Sequence, residues 1–192
     1  MPSKKALDAL NRLLSGNAEY LGAKTAAGDV SPDLRERLRD EGQKPYAVIV
    51  ACSDSRVVPE DIFMCGLGEL FVIRVAGNVI GETQVASIVY ALEHLGAPLV
   101  MVLGHTHCGA IDAVLKGCDE EALQPVSYLI EDAVGDERDP EKASKLNALA
   151  ALRDLKAVPS IASLEKEGNL LVVAALYHIG TGRVEILDEE NA

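Results

Sequence analysis

Tryptophan is absent from this 192-residue chain, and two Phe and five Tyr bring the aromatics to only 4%. Platforms for single-stranded nucleic acid depend on aromatic rings that stack with bases, so that class of function is poorly supported. Basic residues are in the minority: 18 Lys and Arg against 30 Asp and Glu leave a net charge of -12, which repels phosphate backbones. Long apolar runs are lacking too. The longest is the eight residues from Leu170 to Tyr177, far below the roughly 20 that a membrane-spanning helix needs. Asp8 and Arg12 interrupt the region where a secretory leader would be apolar, so a cytoplasmic protein with no nucleic-acid or membrane partner is expected. Cysteines number four, at 52, 65, 108 and 118, and without an export signal they point to reduced thiols or metal ligands rather than to a disulfide framework.

What is present is enough apolar material for a substantial core, 48% of the residues, with aliphatic side chains carrying the packing. The acidity is local. From Asp119 to Lys142 there are nine acids and two bases, net -7, which reads as one solvated loop or helix.

The spacing of Leu7, Leu10, Leu14 and Leu21 predicts an amphipathic helix over Lys4 to Leu21 with those leucines on one face. A second helix is expected from Ser31, a capping serine followed by Pro32 and an acidic residue. The period then changes. Tyr46–Cys52, Leu70–Val75 and Pro98–Leu103 read as strands buried on both faces, with helical segments at Val58–Met64, Thr83–Leu95 and Gly109–Leu115 between and after them. Such alternation implies an α/β fold with a mostly parallel central sheet flanked by helices. After Pro140, Leu146, Leu149, Leu152 and Leu155 form a helical core stripe. Leu170–Tyr177 and Val184–Leu187, joined across Gly180, Thr181 and Gly182, predict an antiparallel hairpin at the sheet edge.

In open parallel sheets, sites form at the carboxyl ends of strands. The first predicted strand runs into Cys52, Ser53, Asp54, Ser55 and Arg56, and the third into Gly104, His105, Thr106, His107, Cys108 and Gly109. Two thiolates and one imidazole suit zinc, and three protein ligands leave a fourth position for water or substrate. His105 and Cys108 are close enough in sequence to converge on one ion, with Cys52 arriving from a neighbouring strand. A buried free cysteine is common in cores, and Cys52 alone would be read that way. The joint pattern favours metal. Asp54 and Arg56, two apart in an extended segment, can pair. Asp54 could then accept a proton or a hydrogen bond from bound water; unpaired, it could swing in as a fourth ligand; or the two could form an ordinary loop ion pair.

The segments Cys52-x-Asp54-x-Arg56 and His105-x-x-Cys108 are together similar to the signature of the β-class carbonic anhydrases. The likeness runs strongly from Gln43 to Gly109, through Arg74, Gly77 and Asn78, and more weakly through the C-terminal hairpin. The resemblance implies one zinc domain spanning residues 1–192, with residues 1–42 as an N-terminal helical arm and 43–192 as the α/β core. It implies Zn2+ held by Cys52, His105 and Cys108. It also implies reversible hydration of carbon dioxide to bicarbonate and a proton by a zinc-bound hydroxide that Asp54, paired with Arg56, orients or accepts from. Gln43, Phe71, Ala76 and Tyr90 fall at positions that line the substrate pocket in that family. A homodimer or dimer of dimers is expected, with Lys4–Leu21 laid across the partner.

Some members close the site with the aspartate and carry a tryptophan shortly before the first cysteine at a bicarbonate pocket. Ile49 stands there in this chain, so the open form is expected. Met64, Cys65 and His178 depart from the residues common among relatives, and Cys65 and Cys118 read as structural thiols. His94, His107 and His178 are candidates for exporting the proton. Two alternative functions share the ligand set: hydrolysis of carbon disulfide or carbonyl sulfide, and a non-catalytic zinc-binding structural role.

Overall fold

The computed structural model describes residues 1–25 and 28–188. At its centre is a five-stranded sheet in the order β2-β1-β3-β4-β5. Its strands are β1 (Ala47–Ala51), β2 (Leu70–Arg74), β3 (Leu99–His105), β4 (Leu171–Tyr177) and β5 (Val184–Leu187). The first four are mutually parallel, and β5 closes one edge antiparallel to β4, with Tyr177 opposite Val184. The mostly parallel sheet and its edge hairpin are as the sequence predicts. β3 runs two residues beyond the expected Leu103, which makes His105 the last residue of the strand.

β1 and β3 are buried along their whole length because helices cover both faces of the sheet. On one face, Val48, Val50, Val100, Val102, Val172 and Ala174 pack against α4 (Glu82–Leu95), α7 (Pro140–Ala157) and α8 (Pro159–Lys166). On the other, Ala47, Ile49, Ala51, Leu99, Met101 and Leu103 pack against α1 (Lys4–Tyr20) and α3 (Pro59–Ile62). Successive side chains of one strand alternate between these two cores, as a pleated strand requires.

The helix α2 (Pro32–Glu41) starts where expected: Ser31 accepts from the Leu34 N–H at 3.2 Å, with Pro32 in the first turn. Two helices were not placed by the sequence reading, which left the acidic stretch as loop or helix and gave no break after the leucine stripe. They are α6 (Gln124–Val134), inside the acidic stretch, and α8, which follows α7 after a break at Val158 and Pro159. α1 corrects the sequence reading in a different way. Its packed face is Ala6, Ala9, Leu13 and Asn17, while Leu7 and Leu21 are 45% and 51% exposed. Asn17 fixes the helix to the hairpin by donating from Nδ2 to Gly182 O at 2.8 Å and accepting at Oδ1 from the Val184 N–H at 2.9 Å. No described helix is long and apolar enough to cross a membrane.

The strand order carries the functional consequence. From β1 the chain crosses to β2 on one side, then returns to β3 on the other side of β1. The reversal opens a crevice at the carboxyl ends of β1 and β3, where open α/β sheets place their ligands.

Candidate metal centre

Cys52 follows β1, His105 ends β3, and Cys108 sits at the start of α5 (Gly109–Leu115). The ligand atoms of these three residues lie within 4.8 Å of one another, and all three residues are buried. His107 makes this convergence possible. It takes a left-handed conformation (φ 57°), turning the chain between the end of β3 and Cys108 so that both side chains face the same point.

The donor set fits zinc on the structure's own terms. Cys52 Sγ and Cys108 Sγ are 4.0 Å apart, about twice a disulfide bond and close to the roughly 3.8 Å between two sulfurs on one tetrahedral zinc. His105 Nδ1 lies 3.0 Å from the Thr106 carbonyl, which can only accept, so the proton sits on Nδ1 and Nε2 carries the lone pair. Nε2 is buried and has no hydrogen-bond partner among the described residues. A buried imidazole nitrogen left unpaired beside two thiols is costly unless a cation completes it. The neighbouring Cys108 thiol, then the backbone N–H groups of Asp54 and Gly77, hold the Cys52 thiol well below its ordinary range, while Cys52 and then burial push the Cys108 thiol up.

Asp54 and Arg56 do pair, but not through an extended segment. Asp54 heads a tight turn: its carbonyl accepts from the Val57 N–H at 3.0 Å, and its Oδ1 accepts from the Arg56 N–H at 2.9 Å. The guanidinium then grips both carboxylate oxygens, Nε to Oδ1 at 2.9 Å and Nη2 to Oδ2 at 2.6 Å. Arg56 holds the Asp54 carboxyl below the usual carboxylate range. Arg56 Nη2 also donates to the His107 carbonyl at 2.9 Å, and Arg74 donates to the carbonyls of Cys52 (3.1 Å) and Asp54 (2.7 Å). The sequence reading missed the use of Arg74, because a donor to backbone carbonyls leaves no spacing signature.

The four pocket positions separate into two groups. Ala76, next to the Gly77 whose N–H meets Cys52 Sγ, lines an apolar cavity of about 290 Å³ together with Ala110, Ala113, Val114 and Ile130. Phe71 and Tyr90 contact each other, with ring centroids 6.2 Å apart, but away from this chain's own ligands. Phe71 is opposite Val48, three registers before Ala51 and Arg74, which puts it roughly 10 Å back along the sheet. Gln43 is exposed in the segment before β1. Among the other histidines, His94 packs on Tyr90 with ring centroids 5.2 Å apart, and His178 bonds Glu185 at 2.8 Å. His107 is exposed. Cys65 and Cys118 lie outside the cluster, and all four cysteines are unpaired.

A doubly wound sheet carrying a Cys-His-Cys centre at its switch point defines a class, and comparison with known proteins agrees. The carbonic anhydrase family model matches residues 47–184. The carbonic anhydrase of Mycolicibacterium smegmatis is 33% identical, over 97% of this chain and 95% of its own length. Carbonic anhydrase 2 of Mycobacterium tuberculosis is 42% identical over 67% of this chain and 61% of its own. Among solved structures, the beta-carbonic anhydrase CcaA superposes with a TM-score of 0.70 at 31% identity, covering 93% of this chain and 95% of that one. A tetrameric beta-carbonic anhydrase of Sordaria macrospora superposes with a TM-score of 0.74 at 27% identity, covering 94% and 97%. The chain belongs to the carbonic anhydrase family, in its β class.

Proposed function

We propose that this protein catalyses the zinc-dependent, reversible hydration of carbon dioxide to bicarbonate and a proton, with Cys52, His105 and Cys108 as the ligands. The observation that carries the reading is the buried, unpartnered Nε2 of His105 converging with two thiols next to an arginine-held carboxylate. Zinc bound there supplies a Lewis acid that makes water a nucleophile near neutral pH, the behaviour for which carbonic anhydrases are the standing example. Thr106 fixes the tautomer of His105 through its carbonyl, so that Nε2 stays free to coordinate. Asp54 stays ionised and immobile on Arg56, and its role is to accept a hydrogen bond from the attacking water and fix its orientation. This pairing, together with Ile49 in place of a tryptophan, favours the open form of the site over one closed by Asp54. The apolar wall beside Ala76 suits a substrate without a net dipole.

Gln43, Phe71 and Tyr90 are read as the wall of a partner subunit's pocket, with the arm of residues 1–42 crossing between subunits of a homodimer or dimer of dimers. Support comes from the edge position of β2, the exposure of Tyr90 and the tetrameric relative. Ligand thiols that must stay reduced, with four unpaired cysteines, favour a cytoplasmic setting.

Stopped-flow carbon dioxide hydration on zinc-quantified protein tests the reading. Activity at neutral pH is expected, and Asp54→Asn is expected to keep its zinc and lose about 100-fold or more of the rate. An Asp54→Asn rate equal to wild type would remove Asp54 from the mechanism. Zinc-loaded protein without hydration activity would redirect the assignment to carbon disulfide or carbonyl sulfide, or to a structural centre.

A further inference from the structure

Cys52 is held by more than its own strand. The Gly77 N–H donates to Cys52 Sγ at 3.3 Å. Gly77 lies in the single helical turn Ala76–Asn78 after β2, with left-handed dihedrals (φ 68°, ψ 14°), and Asn78 after it is also left-handed (φ 46°). Glycine adopts this conformation without steric cost and leaves it as easily, so contacts from the surroundings must hold the Gly77 peptide in place.

Two contacts do so. Ile130, from α6, fills the space a side chain at 77 would need: an added Cβ would sit 2.7 Å from its Cδ1. On the carbonyl side, Asn147 of α7 donates from Nδ2 to the Gly77 oxygen at 2.7 Å. Asn147 is 2% exposed, on a helix face otherwise made of small and aliphatic residues such as Ala143, Ala148 and Ala151. An amide is a poor choice there on helix propensity and desolvation alone, so its bond to Gly77 must offset the cost.

We propose that Asn147 is a positioning residue for the metal centre: its side-chain amide locks the Gly77 backbone so that the Gly77 N–H stays aimed at Cys52 Sγ. The inference rests on Cys52 being a ligand and goes beyond that reading by giving a role to a residue on α7 that touches no ligand. An N–H aimed at a thiolate takes up part of its negative charge and fixes the direction of the sulfur, as outer-sphere partners do at metal sites.

Full-length wild type, Asn147→Leu, Asn147→Gln and Cys108→Ala are compared by chelator competition for zinc, by the thiolate-to-metal absorption band after cobalt substitution, and by urea unfolding of the metal-free proteins. Asn147→Leu is expected to bind zinc about tenfold more weakly, with an altered cobalt band, and Asn147→Gln to recover most of both. Wild-type affinity and an unchanged cobalt band in Asn147→Leu would overturn the proposal. So would a drop in affinity that only tracks a loss of metal-free stability. If the leucine variant fails to fold, Asn147→Asp carries the same test, presenting an acceptor where the donor stood. Undiminished zinc binding by Cys108→Ala would overturn the metal centre itself, an outcome separate from any behaviour of residue 147.

Discussion

β1 and α1 enclose their side chains in opposite ways. All five residues of β1 are buried between helices on two faces, so every apolar side chain there has a core to enter. α1 lies on one face only, buries Ala6, Ala9, Leu13 and Asn17, and leaves Leu7 and Leu21 about half exposed. Small residues on its inner side let the helix approach closely: a Cβ added to Gly16 would sit 2.0 Å from the Phe63 carbonyl oxygen. A strand covered on both faces has no choice of which side to bury. A helix resting on one face does, and contact distance can outweigh hydrophobicity in making it.

The sharpest way to break this contrast is at the ligand-bearing ends of β1 and β3. Cys108→Ala is expected to lower bound zinc from one ion per chain to near none, and to lower the melting temperature of protein purified with zinc, because binding energy is coupled to the folded site. Metal analysis alongside thermal unfolding reads both effects, and full zinc occupancy would sink the ligand assignment. A second comparison works within α1. Leu13→Ala is expected to cost about 2–5 kcal/mol in urea unfolding because it empties a closed site. Leu7→Ala is expected to stay within about 0.5 kcal/mol in dilute monomer. If Leu7→Ala proved as costly as Leu13→Ala in monomer, the inner face would be wrongly assigned.

The smallest effect expected is electrostatic, at the β5 edge. His178, then Lys145, hold the Glu185 carboxyl below its usual range. A carboxylate depressed in the fold but ordinary when unfolded, near 4.3 for Glu, contributes stability that is complete above that value and is lost as pH falls through the folded one. Glu185→Gln is therefore expected to flatten the acid-side decline in urea midpoint below about pH 4.3, with little change in that slope above it. An unaltered decline would remove the pair from the acid response.

The strands, the edge hairpin and the ligand trio were legible in the sequence because each rests on a local rule: continuous apolar runs, a glycine-bounded turn, soft donors directly after strands. The pairing of Asp54 with Arg56 was legible in partnership but not in backbone, since a tight turn and an extended segment both bring residues two apart within reach. α6 was legible only as one of two readings, loop or helix, because charge alone does not separate them, and α8 was hidden by following α7 almost without a gap. The working face of α1 was misread because leucine spacing measures amphipathicity and not which stripe finds a partner. Asn17, Arg74 and Asn147 act through backbone groups far away in the chain, at separations no motif records.

The parallel register of β1 on β3 pairs Ala51 with Leu103, one and two residues short of Cys52 and His105. A slip of one residue would turn either ligand to the opposite face of the sheet. Metal capture is thus conditional on correct strand alignment: a chain with β1 and β3 paired out of register has no centre to fill, so bound zinc certifies an aligned sheet although an aligned sheet need not hold zinc.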